Sequence, residues 1–222
     1  DAIEYVQSKV EIELNAVTDN PLMFLDDEAV ISGGNFHGEP MALAFDFLGI
    51  ACSEIADISE RRTERMVNAA LSNGLTPFLT TQAGVNSGFM IVQYSAASMV
   101  SENKVLAHPA SVDSIPSSAN QEDMVSMGTT AARKSGWIVQ NTFSVLADEL
   151  LTACQAIDIR RMKNSHGQGI SPVHQAIYDL VRSEVAFYEI DREIRPDLEA
   201  VDRIVREEKL LQIVDEMVPD FD

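Results

Sequence analysis

Three long stretches of the chain place apolar residues at helical spacing, and they predict the main helices. Residues 41–68 begin with MALAFDFLGIAC, which is apolar on every face and is interrupted only by Asp46, and residues 88–105 contain GFMIVQYSAASMV without a polar face. A third pattern runs from Ser118 to about Arg161 without proline. A helix that is apolar on every face is normally buried on every face, so we expect these helices to be buried in a large core or between subunits.

The rest of the chain divides into shorter helices and loops. The predicted helices are residues 1–14, 172–188 and 196–210, and the loops rich in turn residues are 18–21, 31–40, 71–87, 108–116 and 165–172. No convincing strand alternation appears. The sequence therefore predicts an all-α long-helix bundle, with a central portion at 1–164 and a peripheral charged helical tail at 165–222.

These predicted helices carry more apolar surface than they can cover. Three helices of this kind cannot shield one another on every side within 222 residues. We therefore expect part of this surface to meet another subunit or a further part of the same protein.

Composition narrows the possible partners and the compartment. Acidic residues outnumber basic ones by 35 to 16, which gives a formal charge of −19 and disfavours nucleic acid and anionic membranes as partners. The longest apolar run is too short to span a bilayer. Cys52 and Cys154 are the only cysteines and fit two reduced, buried thiols. We expect a soluble, cytoplasmic protein.

The segment 114–128, SIPSSANQEDMVSMG, concentrates polar chemistry beside an apolar pattern. Ser118 and Gln121 match a capping box, which predicts that a helix begins at Ser118. Glu122 and Asp123 then lie in its first turn, where negative charge is favoured. That explanation is sufficient for Asp123. For Glu122 a second one stays open, namely a carboxylate that accepts hydrogen bonds from a substrate cation.

Two histidines and one aromatic residue in the loops are weaker candidates for a functional site. His37 and His108 lack a partner at metal-ligand spacing, so hydrogen-bonded loop histidines are favoured and no metal is predicted. Phe36, in the glycine-bearing segment GGNFHG, either packs against the core or lines a pocket.

Several segments, in order along the chain, resemble one enzyme family. They are NAVTDNPLMF (15–24), ISGGNFHGEP (31–40), ISERR (58–62), GVNSGFM (84–90), SENKVLAHPASVDSIPSSANQEDMVSMG (101–128) and AARK (131–134). Together they are similar to the C-terminal half of the histidine ammonia-lyases, a branch of the aromatic amino acid ammonia-lyases. The resemblance covers residues 1–161, and the remainder matches loosely.

The resemblance implies an enzyme that eliminates ammonia from L-histidine to give trans-urocanate. It also implies the electrophile 4-methylideneimidazol-5-one, formed from an internal Ala-Ser-Gly, and a homotetramer whose active sites combine three subunits. Carried over by position, Glu122 corresponds to a glutamate that contacts the substrate's amino or imidazole group. Phe36 corresponds to an aromatic near the electrophile, and Asn120 and Gln121 adjoin the site.

Two departures from the family pattern qualify this expectation. The 222 residues contain no Ala-Ser-Gly, and the family's catalytic tyrosine and carboxylate-binding arginine have no counterpart here. The resemblance therefore implies a C-terminal fragment that is inactive without the N-terminal half. Met124 stands where histidine-acting members commonly have histidine. A phenylalanine or tyrosine ammonia-lyase, an aminomutase and a non-catalytic helical assembly module remain as alternatives.

Overall fold

A computed structural model describes residues 1–163 and 169–219, and this part of the chain is mostly helical. The α-helices of the described residues are α1 (Ala2–Leu14), α2 (Glu39–Val67), α3 (Met90–Leu106), α4 (Gly128–Lys163), α5 (Pro172–Glu184), α6 (Arg195–Arg206) and α7 (Lys209–Met217). With 29 residues in α2 and 36 in α4, the predicted all-α class with long helices is confirmed. Within the described ranges, every helix is too short or too polar to traverse a bilayer.

Two short antiparallel hairpins interrupt the helices. Strand β1 (Leu22–Phe24) pairs with β2 (Ala29–Ile31), and β3 (Ile115–Ser117) pairs with β4 (Glu122–Val125). The sequence did not predict these strands. Each has three or four residues, which is too short for apolar alternation to stand out.

The prediction that a helix begins at Ser118 is wrong. Residues Ser118–Asn120 form a single 3-10 turn, β4 follows, and α4 begins only at Gly128. Neither Ser117 nor Ser118 caps a helix with its side chain, because the chain turns back through left-handed φ angles at this point. Glu122 and Asp123 therefore lie on a strand, and helix-end electrostatics does not explain either of them.

The described part of the predicted tail contains three helices and not two. Ser171 caps α5 as expected, since its hydroxyl accepts a hydrogen bond from the His174 N–H at 3.3 Å, and Pro172 occupies the first turn. Helices α6 and α7 are separated at Glu208, which has a left-handed φ of 56°. Glycine usually marks such a break, and without one the pattern predicted a single helix.

The chain divides into two compact units. The first unit comprises residues 1–54 and 102–140, and the second unit comprises residues 55–101 and 141–222. The predicted boundary between 164 and 165 borders residues 164–168, which lie outside the described residues, and it stays a prediction.

The second unit has an extensive apolar core. Large side chains such as Phe89, Leu151 and Ile159 are almost fully inaccessible to solvent. Val181 of α5 and Val201 of α6 belong to the same buried cluster. This unit therefore obtains most of its stability from burial of apolar surface.

The first unit buries mainly small side chains and exposes large ones. Ala42, Ala44 and Ala131 are buried, whereas Leu43 of α2 is 55% exposed and Phe47 is 42% exposed. The apolar half of α2 is therefore not buried on every face within the single chain, which leaves burial between subunits as the alternative that the sequence offered. The surplus apolar surface that the sequence predicted is present.

Both cysteines are buried and outside any disulfide, as the sequence predicted. Burial raises the pKa of the Cys52 thiol, and it raises the pKa of Cys154 to about 11. Because the thiolate is the reactive form, both side chains are chemically inert near neutral pH.

Candidate active site

The β3–β4 hairpin of the first unit carries three of the predicted site residues. Asn120 ends the 3-10 turn, Gln121 follows it, and Glu122 is the first residue of β4. Glu122 is half-buried, and its Oε2 accepts a hydrogen bond from the Ser117 hydroxyl at 3.4 Å. The described residues supply no other donor to this carboxylate, so it keeps most of its acceptor capacity for a ligand.

The turn that precedes Glu122 is conformationally strained. Ser118, Ala119 and Asn120 have φ values of 51°, 55° and 71°, in the left-handed region that non-glycine residues rarely adopt. Each such residue costs on the order of 1–3 kcal/mol and persists only where surrounding contacts impose it. The hairpin register is also irregular between Ile115 and Ser117. Strain and irregular pairing of this kind concentrate at functional sites, where they set the direction of a side chain.

Phe36 lies on a separate 3-10 turn, Asn35–His37, which ends at Gly38 with a φ of 76°. Its ring is 40% exposed and packs on the neighbouring His37 imidazole, with ring centroids 4.1 Å apart. The alternative that Phe36 packs against the core is therefore wrong for this chain. The exposed ring is available to line a pocket.

Two contacts join the Phe36 turn to the chain that follows β4. The Ser126 hydroxyl donates a hydrogen bond to the His37 carbonyl oxygen. A β-carbon at Gly128 would lie 3.1 Å from the Gly38 carbonyl oxygen, so the close approach at this point favours glycine. The structure thus brings together the bases of the two loops that carry Phe36 and Glu122.

Asp46 of α2 anchors the segment that leads into the hairpin, and the sequence analysis did not assign it a role. Its Oδ2 accepts hydrogen bonds from the N–H groups of Ala110 and Ser111, each at 2.7 Å. Its Oδ1 lies 3.2 Å from the Lys134 ammonium, which also donates to the His108 carbonyl. The signal that could have found it was a single acid within the apolar run MALAFDFLGIAC.

The electrostatics of this anchor favour an ionised carboxylate. Burial alone would raise the pKa of Asp46, but the hydrogen bonds from Ser111 and Lys134 outweigh it and hold the pKa below its usual value. Asp46 is therefore a charged acceptor near neutral pH, which strengthens its bonds to the two backbone N–H groups.

Residues 1–183 match the family model for aromatic amino acid lyases. The chain belongs to this family. The match extends from α1 almost to the end of α5, and it includes both site loops.

Several histidine ammonia-lyases are 54–57% identical to this chain in sequence. Histidine ammonia-lyase 1 of Fusobacterium nucleatum is 57% identical over 218 residues, which is 98% of this chain and 42% of that protein. Histidine ammonia-lyase of Alkaliphilus oremlandii is 56% identical with the same coverage. The chain thus spans about 42% of the length of the curated relatives that it matches.

Solved structures of the lyase family share the fold. The crystal structure of histidine ammonia-lyase from Trypanosoma cruzi is 46% identical, with a TM-score of 0.91 over 99% of this chain and 42% of that chain. Tyrosine aminomutase from Streptomyces globisporus is 36% identical, also with a TM-score of 0.91, over 100% of this chain and 41% of that chain.

Two of the cavities among the described residues of this lyase-family chain lie in the second unit, and no predicted site residue lines either of them. One, of about 570 Å³, has Arg62, Arg65, Arg160 and Arg161 in a wall that also contains Glu149 and several apolar side chains. Arg62 is paired with Glu149, at 2.8 Å between Nη2 and Oε2. The other cavity, of about 490 Å³, is lined by Asp148 and Asp202.

Asp148 has an unusual electrostatic environment. It is buried, and one carboxyl oxygen accepts no hydrogen bond from the described residues. Burial, with a smaller contribution from the charge of Asp202, raises the pKa of Asp148 to about 8. This carboxyl is therefore largely protonated at neutral pH.

Proposed function

We propose that this chain forms part of a histidine ammonia-lyase, which converts L-histidine to trans-urocanate and ammonia. The observation that carries the proposal is 54–57% identity to histidine ammonia-lyases over nearly the whole chain. Because the chain spans about 42% of those relatives, we assign the activity to an enzyme that also contains the remaining segments of the family.

The chain would contribute to a site built around the methylideneimidazolone group. That group supplies the electrophile that makes the substrate amine a better leaving group, and its Ala-Ser-Gly precursor does not occur in these 222 residues. The residues of the first unit suit such a neighbour, because Phe36 presents an exposed aromatic ring and Glu122 a carboxylate with free acceptor capacity.

We assign the main polar contact with the substrate to Glu122. An ionised carboxylate accepts strong hydrogen bonds from an ammonium or imidazole N–H, and its half-buried position limits competition from water. Its task is to hold the amino acid in the reactive orientation. Asn120 and Gln121 flank it on the strained turn, where they contribute to the binding surface.

We further propose that the intact enzyme is a homotetramer in the cytoplasm. The exposed apolar residues of the first unit support the oligomer, because surface of this kind is normally covered by protein. The two reduced, buried cysteines are in keeping with a reducing compartment.

A tyrosine aminomutase is the second candidate. It is supported by the similarity to the Streptomyces globisporus enzyme, at a TM-score of 0.91, and by Met124, which provides no imidazole partner. Met124 is 66% exposed on β4. Both candidate enzymes act on an aromatic amino acid, but the lyase releases ammonia and urocanate whereas the aminomutase gives β-tyrosine.

The test is a chimeric enzyme in which this chain replaces the matching segment of Fusobacterium nucleatum histidine ammonia-lyase 1. The chimera is incubated with L-histidine, L-phenylalanine and L-tyrosine, and ultraviolet absorbance distinguishes urocanate, cinnamate and coumarate. Amino acid analysis detects β-tyrosine. We expect urocanate as the main product. A folded chimera that makes mainly β-tyrosine contradicts the proposal, and one that assembles but has no activity supports the assembly module.

Glu122→Gln is the decisive variant within this chimera. We expect kcat/KM for histidine to fall about 10²-fold, because the carboxylate that orients the substrate is replaced by a neutral amide. Asp123→Asn is the matched control, since Asp123 is an exposed neighbour on the same strand, and it should retain full activity. Equal turnover in the Glu122→Gln chimera would remove Glu122 from the site.

A further inference from the structure

We propose that Asp46 and Lys134 act together as positioning residues for Glu122, by fixing the segment from which the β3–β4 hairpin leaves. This inference rests on the proposed role of Glu122. Neither residue presents a free group to a substrate, because both use their polar atoms within the first unit.

Asp46 and Lys134, which together form the anchor, bind mainly backbone groups. Asp46 is only 6% exposed, and one of its oxygens accepts from two successive N–H groups, those of Ala110 and Ser111. Two bonds from adjacent amides to one oxygen fix both the place and the direction of the chain. Lys134 holds the other carboxylate oxygen and the His108 carbonyl. The segment is therefore secured at 108, 110 and 111.

A continuous series of hydrogen bonds connects this anchor to β4. The Asp113 N–H donates to the Ala110 carbonyl at 3.1 Å, and the Ser114 N–H donates to the Asp113 carboxylate at 2.9 Å. The Ser114 hydroxyl then accepts from the Val125 N–H at 3.0 Å. Val125 is the last residue of the strand that begins with Glu122. Displacement at the anchor is thus transmitted to the strand that carries the carboxylate.

The hairpin requires such support because it cannot impose its own geometry. Its strands have three and four residues, and short isolated hairpins are marginally stable in water. The left-handed residues 118–120 would relax if the ends were free. Both strands are held at the open end of the hairpin, opposite the turn: Ser126, which follows β4, bonds to the His37 carbonyl, and the Asp46 anchor holds the segment that leads into β3.

Hydrogen–deuterium exchange on the 222-residue chain tests the physical part of this inference without any activity. In Asp46→Asn and Lys134→Met, we expect faster exchange at 110–111 and also at 115–125. Asp158→Asn is the matched control, since Asp158 is a partly buried acid of the second unit that accepts from Arg182 at 2.6 Å. It should leave 115–125 unchanged. Faster exchange confined to 110–111, with the hairpin unaffected, overturns the inference.

Activity in the chimeric enzyme tests the functional part. We expect Asp46→Asn to lower kcat for histidine about 10²-fold, Lys134→Arg to retain most of it, and Asp158→Asn to retain it fully. In a Glu122→Gln background, Asp46→Asn should cause little further loss, because it acts through Glu122. A full additional loss would mean that Asp46 acts elsewhere and would overturn the inference.

The two proposals fail in distinguishable ways. If the unmutated chimera makes no urocanate, the proposed function fails, while the exchange experiment still reports whether Asp46 holds the hairpin. If the chimera is active and Asp46→Asn matches it in kcat, the positioning role fails and the proposed function stands.

Discussion

The two units of this chain use their buried positions differently. The second unit buries many large apolar side chains, such as Phe89 and Leu151, whereas most residues that the first unit buries are small, with Ile138 as an exception, and the charged Asp46 is buried among them. The candidate site lies on the first unit, where hydrogen bonds rather than apolar packing fix the loops. The contrast teaches that fold stability and site geometry are supplied by different interactions in different parts of the sequence.

The largest expected difference between the two units is in the unfolding free energy that is lost when a leucine of each unit is truncated to alanine. Leu151→Ala in the second unit, where Leu151 is 1% exposed, should lower the free energy of unfolding by about 2–5 kcal/mol, because it leaves a cavity. Leu43→Ala in the first unit should change it by less than about 0.5 kcal/mol, since Leu43 is exposed in the single chain. Urea denaturation of the chain measures both. Equal losses would show that the two units are stabilised alike.

The Leu43→Ala result should change in an assembled enzyme. If the apolar face of α2 is covered by other subunits, the same substitution should weaken the tetramer of the chimera. Size-exclusion chromatography over a range of protein concentrations measures this effect. A tetramer that is indifferent to Leu43→Ala would argue against an interface there.

The second unit should also show a pH dependence that originates at Asp148. Its folded pKa, about 8, lies above the ordinary value of 3.8, so the folded state holds this proton more tightly than the unfolded chain. Its contribution to stability is complete below about pH 4 and is lost as the pH rises to about 8, by at most about 1.4 kcal/mol per pH unit.

Asp148→Asn should remove that dependence, because the amide does not ionise. Urea denaturation at pH 5 and pH 9 should show a smaller difference in unfolding free energy for the variant than for the parent chain. Asp123→Asn, at an exposed site of the first unit, is the control and should leave the difference unchanged. An unaltered pH dependence in Asp148→Asn would place its origin elsewhere.

The smallest expected effect concerns the substrate preference that Met124 of the first unit contributes. In the chimera, Met124→His should raise the ratio of kcat/KM for histidine to that for tyrosine about tenfold, the equivalent of one additional hydrogen bond to the imidazole of about 1.4 kcal/mol. Product absorbance on both substrates measures the ratio. Met124→Leu is the control for size and should leave it unchanged. A fall in the ratio for Met124→His would indicate that position 124 does not face the imidazole.

Sequence patterns predicted α2 and α3 well, because the apolar signal extends over many turns, whereas α4 begins at Gly128 and not at Ser118. Helices α2 and α3 lie within two residues of their predicted bounds. The division into units could not be predicted in this way. Its boundaries, after residues 54, 101 and 140, fall inside α2, α3 and α4, so no linker composition marks them.

The candidate site was only partly accessible to sequence reasoning. The resemblance directed attention to Phe36 and Glu122, whose roles stay predictions. The capping-box pattern of Ser118 and Gln121 placed Glu122 on a helix. In the structure the left-handed turn at 118–120 forms a hairpin instead, and Glu122 lies on its second strand. Asp46 was visible as an isolated acid in an apolar run, but its partners lie more than sixty residues away in sequence, where local patterns carry no information.

The Asp46 carboxylate accepts hydrogen bonds from backbone N–H groups, which every amino acid except proline possesses. The side chain at 110 is therefore interchangeable as far as this contact is concerned, whereas Ser111 adds a side-chain hydrogen bond to the carboxylate and the backbone route is fixed. Relatives or designed variants can replace Ala110 and still present the glutamate in the same direction, provided that the Asp113 and Ser114 side chains are kept and no imino acid enters at 110 or 111.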